Sequence, residues 1–153
     1  MREIIFRGKR VDNGEWVYGH FFAPSDGKAY IMHVNALATP KSYEPVWFHD
    51  WVEIDPATVG QYTGLNTQDG IKCFEHDVIE YDNSLYFKDN CRPRIEDIKR
   101  IQVTMSADLG VNGRAIECDI YGCGMVVHNF LANGGKVIGN VHDNPEFVKG
   151  GDE

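Results

Sequence analysis

"EIIFRGKRVDNGEWVYGHFF", running from Glu3 to Phe22, is the stretch whose reading decides the fold. It begins with β-branched and aromatic residues, passes through "DNGE" (Asp12–Glu15), and resumes as "WVYGHFF" (Trp16–Phe22). Asn13 and Gly14 both tolerate positive φ, so the middle predicts a hairpin turn and the flanks two antiparallel strands. The second strand alternates, placing Trp16, Tyr18 and His20 on one face and Val17 on the other. Gly19, inside that strand, predicts a bulge or the close approach of another backbone.

The same grammar continues downstream. "APSDGK" (Ala23–Lys28) reads as a second turn and "AYIMHV" (Ala29–Val34) as a third strand. Pro40 and Pro45 exclude a long helix before Asp50. "VWFHDWVEI" (Val46–Ile54) regains strand character, with Trp47 and Trp51 as expected core anchors. "DPATVG" predicts a single helical turn, in which Asp55 caps, Pro56 takes the first position and Gly60 closes. Asp69–Gly70 is a hairpin signal, followed by alternation through Ile71, Cys73, Val78 and Ile79. "DNSLYFKDNCRPR" (Asp82–Arg94) reads as a loop extension, "IKRIQVTM" (Ile98–Met105) as a strand, and "SADLGVNGRA" (Ser106–Ala115) as a turn-rich connection. "MVVHNFL" (Met125–Leu131) and "KVIGNV" (Lys136–Val141) are expected to form a terminal hairpin across "ANGG", with a frayed tail over 150–153.

Many short strands separated by Gly, Asn and Asp turns predict an all-β fold. The expected form is a barrel or roll of short antiparallel strands with at most short helical turns. A chain of 153 residues is about one domain long and can bury a core without disulfides or metals. One β-rich domain is expected over 1–149, with N-terminal strands in 1–50 and the barrel portion in 51–149.

"MREIIFRGKR" has only three consecutive apolar residues, short of a signal peptide, and no run reaches the length of a membrane helix. A cytoplasmic location is therefore expected. The four cysteines (Cys73, Cys91, Cys118 and Cys123) sit in a chain too long for a typical disulfide framework, and read as free, mostly buried thiols. Net charge is −8, and the segment Asp50–Asp82 holds eight acidic residues against one base, Lys72. Such a balance disfavours phosphate backbones, which need several cations acting together. "RGKR" (Arg7–Arg10) and "RPRIEDIKR" (Arg92–Arg100) are basic but read as solvated edges.

Chemical constellations are few. Cys118, Cys123 and His128 have spacing that zinc tolerates, but a fourth ligand would have to come from Cys91, Cys73 or His142. "CFEHD" sets Cys73, Glu75, His76 and Asp77 together; in a strand, however, Cys73 and Glu75 share a face and His76 points away from both, as in a strand entering a polar turn. No phosphate-binding loop, GxSxG or HExxH segment occurs in the sequence. No catalytic, cofactor-binding or metal residue is assigned on these grounds. In "VIGNVHDNPEFV" (Val137–Val148), Gly139 and Asn140 predict a bulge, Asn144 a cap and Pro145 the first residue of a helical turn. His142 and Asp143 read as the exposed approach to that turn.

Three blocks carry a family resemblance. "FRGKRVDNGEWVYGHF" (Phe6–Phe21), "VEIDPATVGQYTGLNTQDGIKCFEHDVIEY" (Val52–Tyr81) and "VIGNVHDNPEFV" resemble the N-terminal, central and closing blocks of the YopX family of phage and prophage proteins. His76 departs from the pattern, standing where the family has Gly in an "EGD" turn. The resemblance implies an SH3-like barrel, self-association and a phage or prophage context, with no catalytic residues to carry over. The expected function is a non-enzymatic oligomeric binding module with no cofactor and an unidentified protein partner, away from nucleic acid and membrane. The alternatives are an accessory in phage DNA transactions and a metal-assisted enzyme using Cys118, Cys123, His128 or His142.

Overall fold

The computed structural model describes residues 3–33, 51–80, 100–106, 110–115, 127–132 and 134–148. Its strands are all antiparallel and form two sheets, so the all-β expectation holds. The chain divides into two compact units, Met1–Tyr62 and Thr63–Glu153.

In the first unit, β1 (Phe6–Lys9), β2 (Trp16–Phe22), β3 (Ala29–His33) and β4 (Trp51–Ile54) follow one another in the sheet, and β5 (Gly60–Asn66) adds on the free side of β1. The predicted hairpin is in place: Phe6 lies opposite Gly19 and Lys9 opposite Trp16. Its turn is stapled by Glu15 N–H to the Asn13 side-chain oxygen at 2.9 Å. The Arg10 guanidinium grips Asp12 at 2.8 Å and 2.6 Å and holds that carboxyl below its ordinary range.

Alternation along β2 separates two faces. Val17 and Gly19 are buried, whereas Tyr18, His20 and Phe22 are exposed and Trp16 half-buried. On the inner face Val17, Ala29, Ile31 and Ile54 form the core, with Phe6, Phe21, Val52 and Val59 packed against it. Full burial of the Val17, Ile31 and Ile54 side chains contributes about 1.5–3 kcal/mol each. The edge strand β4 bends back towards β1. Arg10 bridges Ile54, Asp55 N–H donates to Lys9 O at 2.8 Å, and Val11 N–H to Glu53 O at 3.2 Å. The sheet curls in this way, and among the described residues no closed barrel of the expected kind is found.

Gly19 is a close approach, as its position in a strand predicted. A Cβ there would lie 1.8 Å from the Met32 carbonyl oxygen. "DPAT" forms the predicted turn, a 3₁₀ helix over Pro56–Thr58 with Asp55 Oδ1 accepting from Ala57 N–H at 3.0 Å. Gly60 does not close it; Val59 does, and Gly60 opens β5.

In the second unit the end of β5 turns through Thr67–Gly70 into β6 (Lys72–Phe74), with Thr67 N–H to Ile71 O at 2.9 Å completing the predicted DG hairpin. The other sheet runs β10 (Lys136–Asn140), β7 (Asp77–Glu80), β8 (Arg100–Ser106), β9 (Gly110–Ala115). Its core joins Cys73, Ile79, Ile101 and Val103 to Val127, Phe130 and Leu131.

Three expectations are corrected here. The described part of "MVVHNFL", from Val127 on, is not a strand: Val127–Ala132 is a short helix, α1, because Val127, Phe130 and Leu131 at i, i+3 and i+4 bury one helical face. The last strand therefore pairs with β7, Lys136 opposite Glu80, not with its sequence neighbour. "SADLGVNGRA" is less irregular than predicted, since Gly110–Ala115 forms β9 and pairs with β8 from Ile101–Ala115 to Ser106–Gly110. The connection through Asp82–Arg94 lies outside the described residues.

β10 carries the predicted bulge, a register shift between Val137 and Gly139. A Cβ on Gly139 would sit 2.2 Å from Asn144 Oδ1 and 3.1 Å from the Phe147 ring. Gly139→Ala should therefore cost about 1–2 kcal/mol by overpacking, read as a lower midpoint in urea denaturation at unchanged slope.

Candidate functional site

Strand register sorts the outer face of the first unit. Side chains directly opposite one another share a face, and the pairs His20–Met32, Phe22–Tyr30 and Met32–Trp51 lie on the side away from the core. Arg7 and Lys9 join them across from Tyr18 and Trp16. The Arg7 guanidinium lies 4.7 Å from the Trp16 ring centre and Lys9 Nζ 5.5 Å, so both cations rest on one indole.

At one end of this face, Phe22, Pro24, Tyr30 and Trp51 line an apolar pocket of about 400 Å³. The Phe22 and Trp51 rings are 5.6 Å apart and tilted by 56°. Phe22 remains 44% exposed, large for a phenylalanine beside two other aromatics. Trp51, expected in the core, is a wall of this pocket instead, because the register puts it on the outer side of β4. Trp47 lies outside the described residues. The charges nearby are engaged: Lys28 pairs with Glu53 at 3.6 Å, and Asp26 Oδ1 accepts from Lys28 N–H at 3.0 Å. The pocket wall is therefore apolar and suited to an apolar or aromatic group.

In the second unit "CFEHD" is a strand, a tight turn and a strand. Cys73 is fully buried in the core. Asp77, only 2% exposed, turns its carboxylate back to accept Phe74 N–H at 2.7 Å. His76 takes φ +72°, the left-handed conformation a glycine would adopt freely, so the turn is kept despite the substitution. Its ring meets His142 edge-on, with centres 5.2 Å apart and planes at 83°. His142 is therefore half-buried, not the exposed approach that the sequence suggested; Asp143 is exposed. His76→Gly should leave stability within about 1 kcal/mol, strain relief offsetting the lost ring contact, whereas His76→Val should lose about 2 kcal/mol in thermal melts.

The closing block is organised by Asn140, a residue the sequence reading left as part of a bulge. Asn140 is 7% exposed. Its side-chain oxygen accepts from His142 N–H at 3.0 Å and Asp143 N–H at 2.9 Å, and its amide donates to Asp143 Oδ2 at 2.9 Å. Pro145 opens a 3₁₀ turn, Pro145–Phe147, as predicted. Asn144 does not cap it; its amide donates to Glu146 Oε1 at 3.1 Å. The signal for Asn140 was present in the spacing, since an Asn two and three residues ahead of free amides forms such loops.

Of the proposed zinc ligands, Cys118, Cys123 and Cys91 lie outside the described residues. His128 is exposed on α1, Cys73 is in the core and His142 packs on His76. Among the described residues no group of three or more His, Cys, Asp or Glu is placed to hold a metal ion. The acidic segment is likewise divided: Asp55 caps a turn, Asp77 is buried, Glu53 pairs with Lys28 and Glu75 lies 4.0 Å from His76. Among the described residues no helix is long and apolar enough to cross a membrane.

Two antiparallel sheets, with an aromatic outer face on the first unit and turns fixed by buried Asp and Asn in the second, make the described residues mainly β. The family model for YopX protein matches residues 5–149, and the chain belongs to that family. Among solved structures it is similar to the crystal structure of protein EF1440 from Enterococcus faecalis, with 20% identity over 97% of this chain and 100% of that one and a TM-score of 0.52, which indicates a shared fold. A search of curated proteins finds no match.

Proposed function

We propose that this chain is a non-enzymatic, self-associating binding module of phage or prophage origin. The observation that supports it is the apolar pocket of Phe22, Pro24, Tyr30 and Trp51, which sits on the face opposite the core and whose volume of about 400 Å³ suits an inserted side chain. In this reading, an apolar group of a second copy fills the pocket. The exposed Tyr18 and Phe22 then supply the rim of the contact.

Light scattering on the purified chain tests this directly. The wild type should be an oligomer, and Trp51→Ala and Phe22→Ser should each weaken association by roughly 10- to 30-fold, as loss of an aromatic anchor does. A wild type that stays monomeric at high concentration removes the self-association, and undiminished assembly in both variants removes the pocket.

A further inference from the structure

Three of the four residues that line the pocket of the first unit carry π faces: Phe22, Tyr30 and Trp51. Strand register makes them contiguous. Tyr30 stands opposite Phe22 on β2 and opposite Glu53 on β4, and Trp51 lies two residues before Glu53 on the same face. The Phe22 and Trp51 rings, 5.6 Å apart and tilted by 56°, meet as two walls of a corner and do not stack. Aliphatic side chains would make an equally apolar corner; what aromatic rings add is a negative face.

We propose that this corner is an aromatic cage for a small quaternary ammonium molecule of the choline class. The ring faces attract its charge. Its surface is methyl, so it gives up no hydrogen bonds on entering an apolar wall. A lysine ammonium, in contrast, brings N–H donors that such a wall leaves unsatisfied.

The Glu53 carboxylate, across from Tyr30, adds attraction from the rim. Its partner Lys28 is 3.6 Å away and both side chains are partly open to solvent, where water screens each charge and the pair holds weakly. Asp26, Lys28 and Glu53 between them leave one negative charge in excess. The volume of about 400 Å³ falls in the range of small-molecule sites, about 300–1,000 Å³, with room for the complete molecule, alcohol end included. A second copy and the cation compete for one corner, and binding of the cation is measurable whether or not copies associate.

Calorimetric titration of the full chain with choline, at a dilution where light scattering gives the smallest species, tests the cage. Choline should bind about tenfold more tightly than neohexyl alcohol, which has the same shape with carbon in place of the charged nitrogen. Trp51→Leu keeps an apolar wall without its π face and should weaken choline roughly tenfold, while neohexyl alcohol binds as before. Glu53→Gln should weaken choline roughly threefold and serves should the tryptophan variant fail to fold. Equal affinity for the two alcohols leaves only an apolar pocket and overturns the cage, as does no choline binding, or choline affinity unchanged in both variants. A trimethyl-lysine peptide that binds more tightly than choline moves the site to a protein partner and overturns the small-molecule assignment. A monomeric wild type, which removes self-association, leaves each of these readings intact.

Discussion

Gly19→Ala should lower the melting temperature by about 10 °C or leave the protein unfolded. The added methyl would lie 1.8 Å from the Met32 carbonyl oxygen and 3.1 Å from Ile31 Cγ2. The first of these is backbone, so no rotamer change relieves it. β2 and β3 must part where Gly19 opposes His33 and His20 opposes Met32, and the core behind them (Val17, Ile31) loosens with them. Overpacking in a well-packed site costs about 1–3 kcal/mol; a clash with a sheet backbone belongs at or above the top of that range. Against a total stability of roughly 5–15 kcal/mol, a loss of 3 kcal/mol or more removes a large share. Circular dichroism melts of the two proteins decide it, and a shift under about 3 °C would show that the strands separate more easily than the register suggests.

Asn140→Ala should cost about 2–3 kcal/mol by removing three hydrogen bonds from a buried position, two accepted and one donated. The amides of His142 and Asp143 lose their acceptor, and the turn that aims Phe147 back loses its organiser. Asn140→Asp separates the two roles. It preserves an acceptor but sets a carboxylate against Asp143, so its penalty should shrink as the pH falls through about 4, where carboxylates take up protons. Urea titrations at neutral and acid pH measure both; an Ala variant as stable as wild type would show that water replaces the side chain without loss.

These two positions differ in how the sequence announces them. Gly19 stands among β-branched and aromatic residues, and a glycine there has few explanations other than close approach. Asn140 looks like any turn residue until its partners are known, because a side chain that bonds to residues two and three ahead resembles one that merely tolerates a bend. Local rules served well where the structure is local: the Asn13–Gly14 turn, the Asp55 cap and the Asp69–Gly70 hairpin all sit where short-range chemistry puts them. They failed where distant packing decides. Val127, Phe130 and Leu131 fit a helix as well as an interrupted strand, and their burial against Ile79 and Ile101 settles which. Trp51 was expected in the core on size alone, but its side of β4 follows from pairing with Met32, a partner the sequence does not name. The pocket was illegible for the same reason, since Phe22, Pro24, Tyr30 and Trp51 meet only after three strands have paired.

Residues Phe6–Lys9 lie between two neighbours of very different age. Their hairpin partner is translated at once, ending at Phe22, whereas their other neighbour, Gly60–Gln61, follows almost forty residues later. At ordinary synthesis rates of about 5–20 residues per second, one side of this strand stays uncovered on the nascent chain for roughly 2–8 s. A strand bonded on both sides in the finished molecule is thus, for those seconds, an open template next to the ribosome. Its sequence is guarded for that interval: Arg7, Lys9 and Arg10 bring three positive charges in four residues, and mutual repulsion keeps neighbouring nascent chains from stacking there. A cationic run of the kind that contacts nucleic acid is equally a charge pattern that disfavours pairing along an open strand edge.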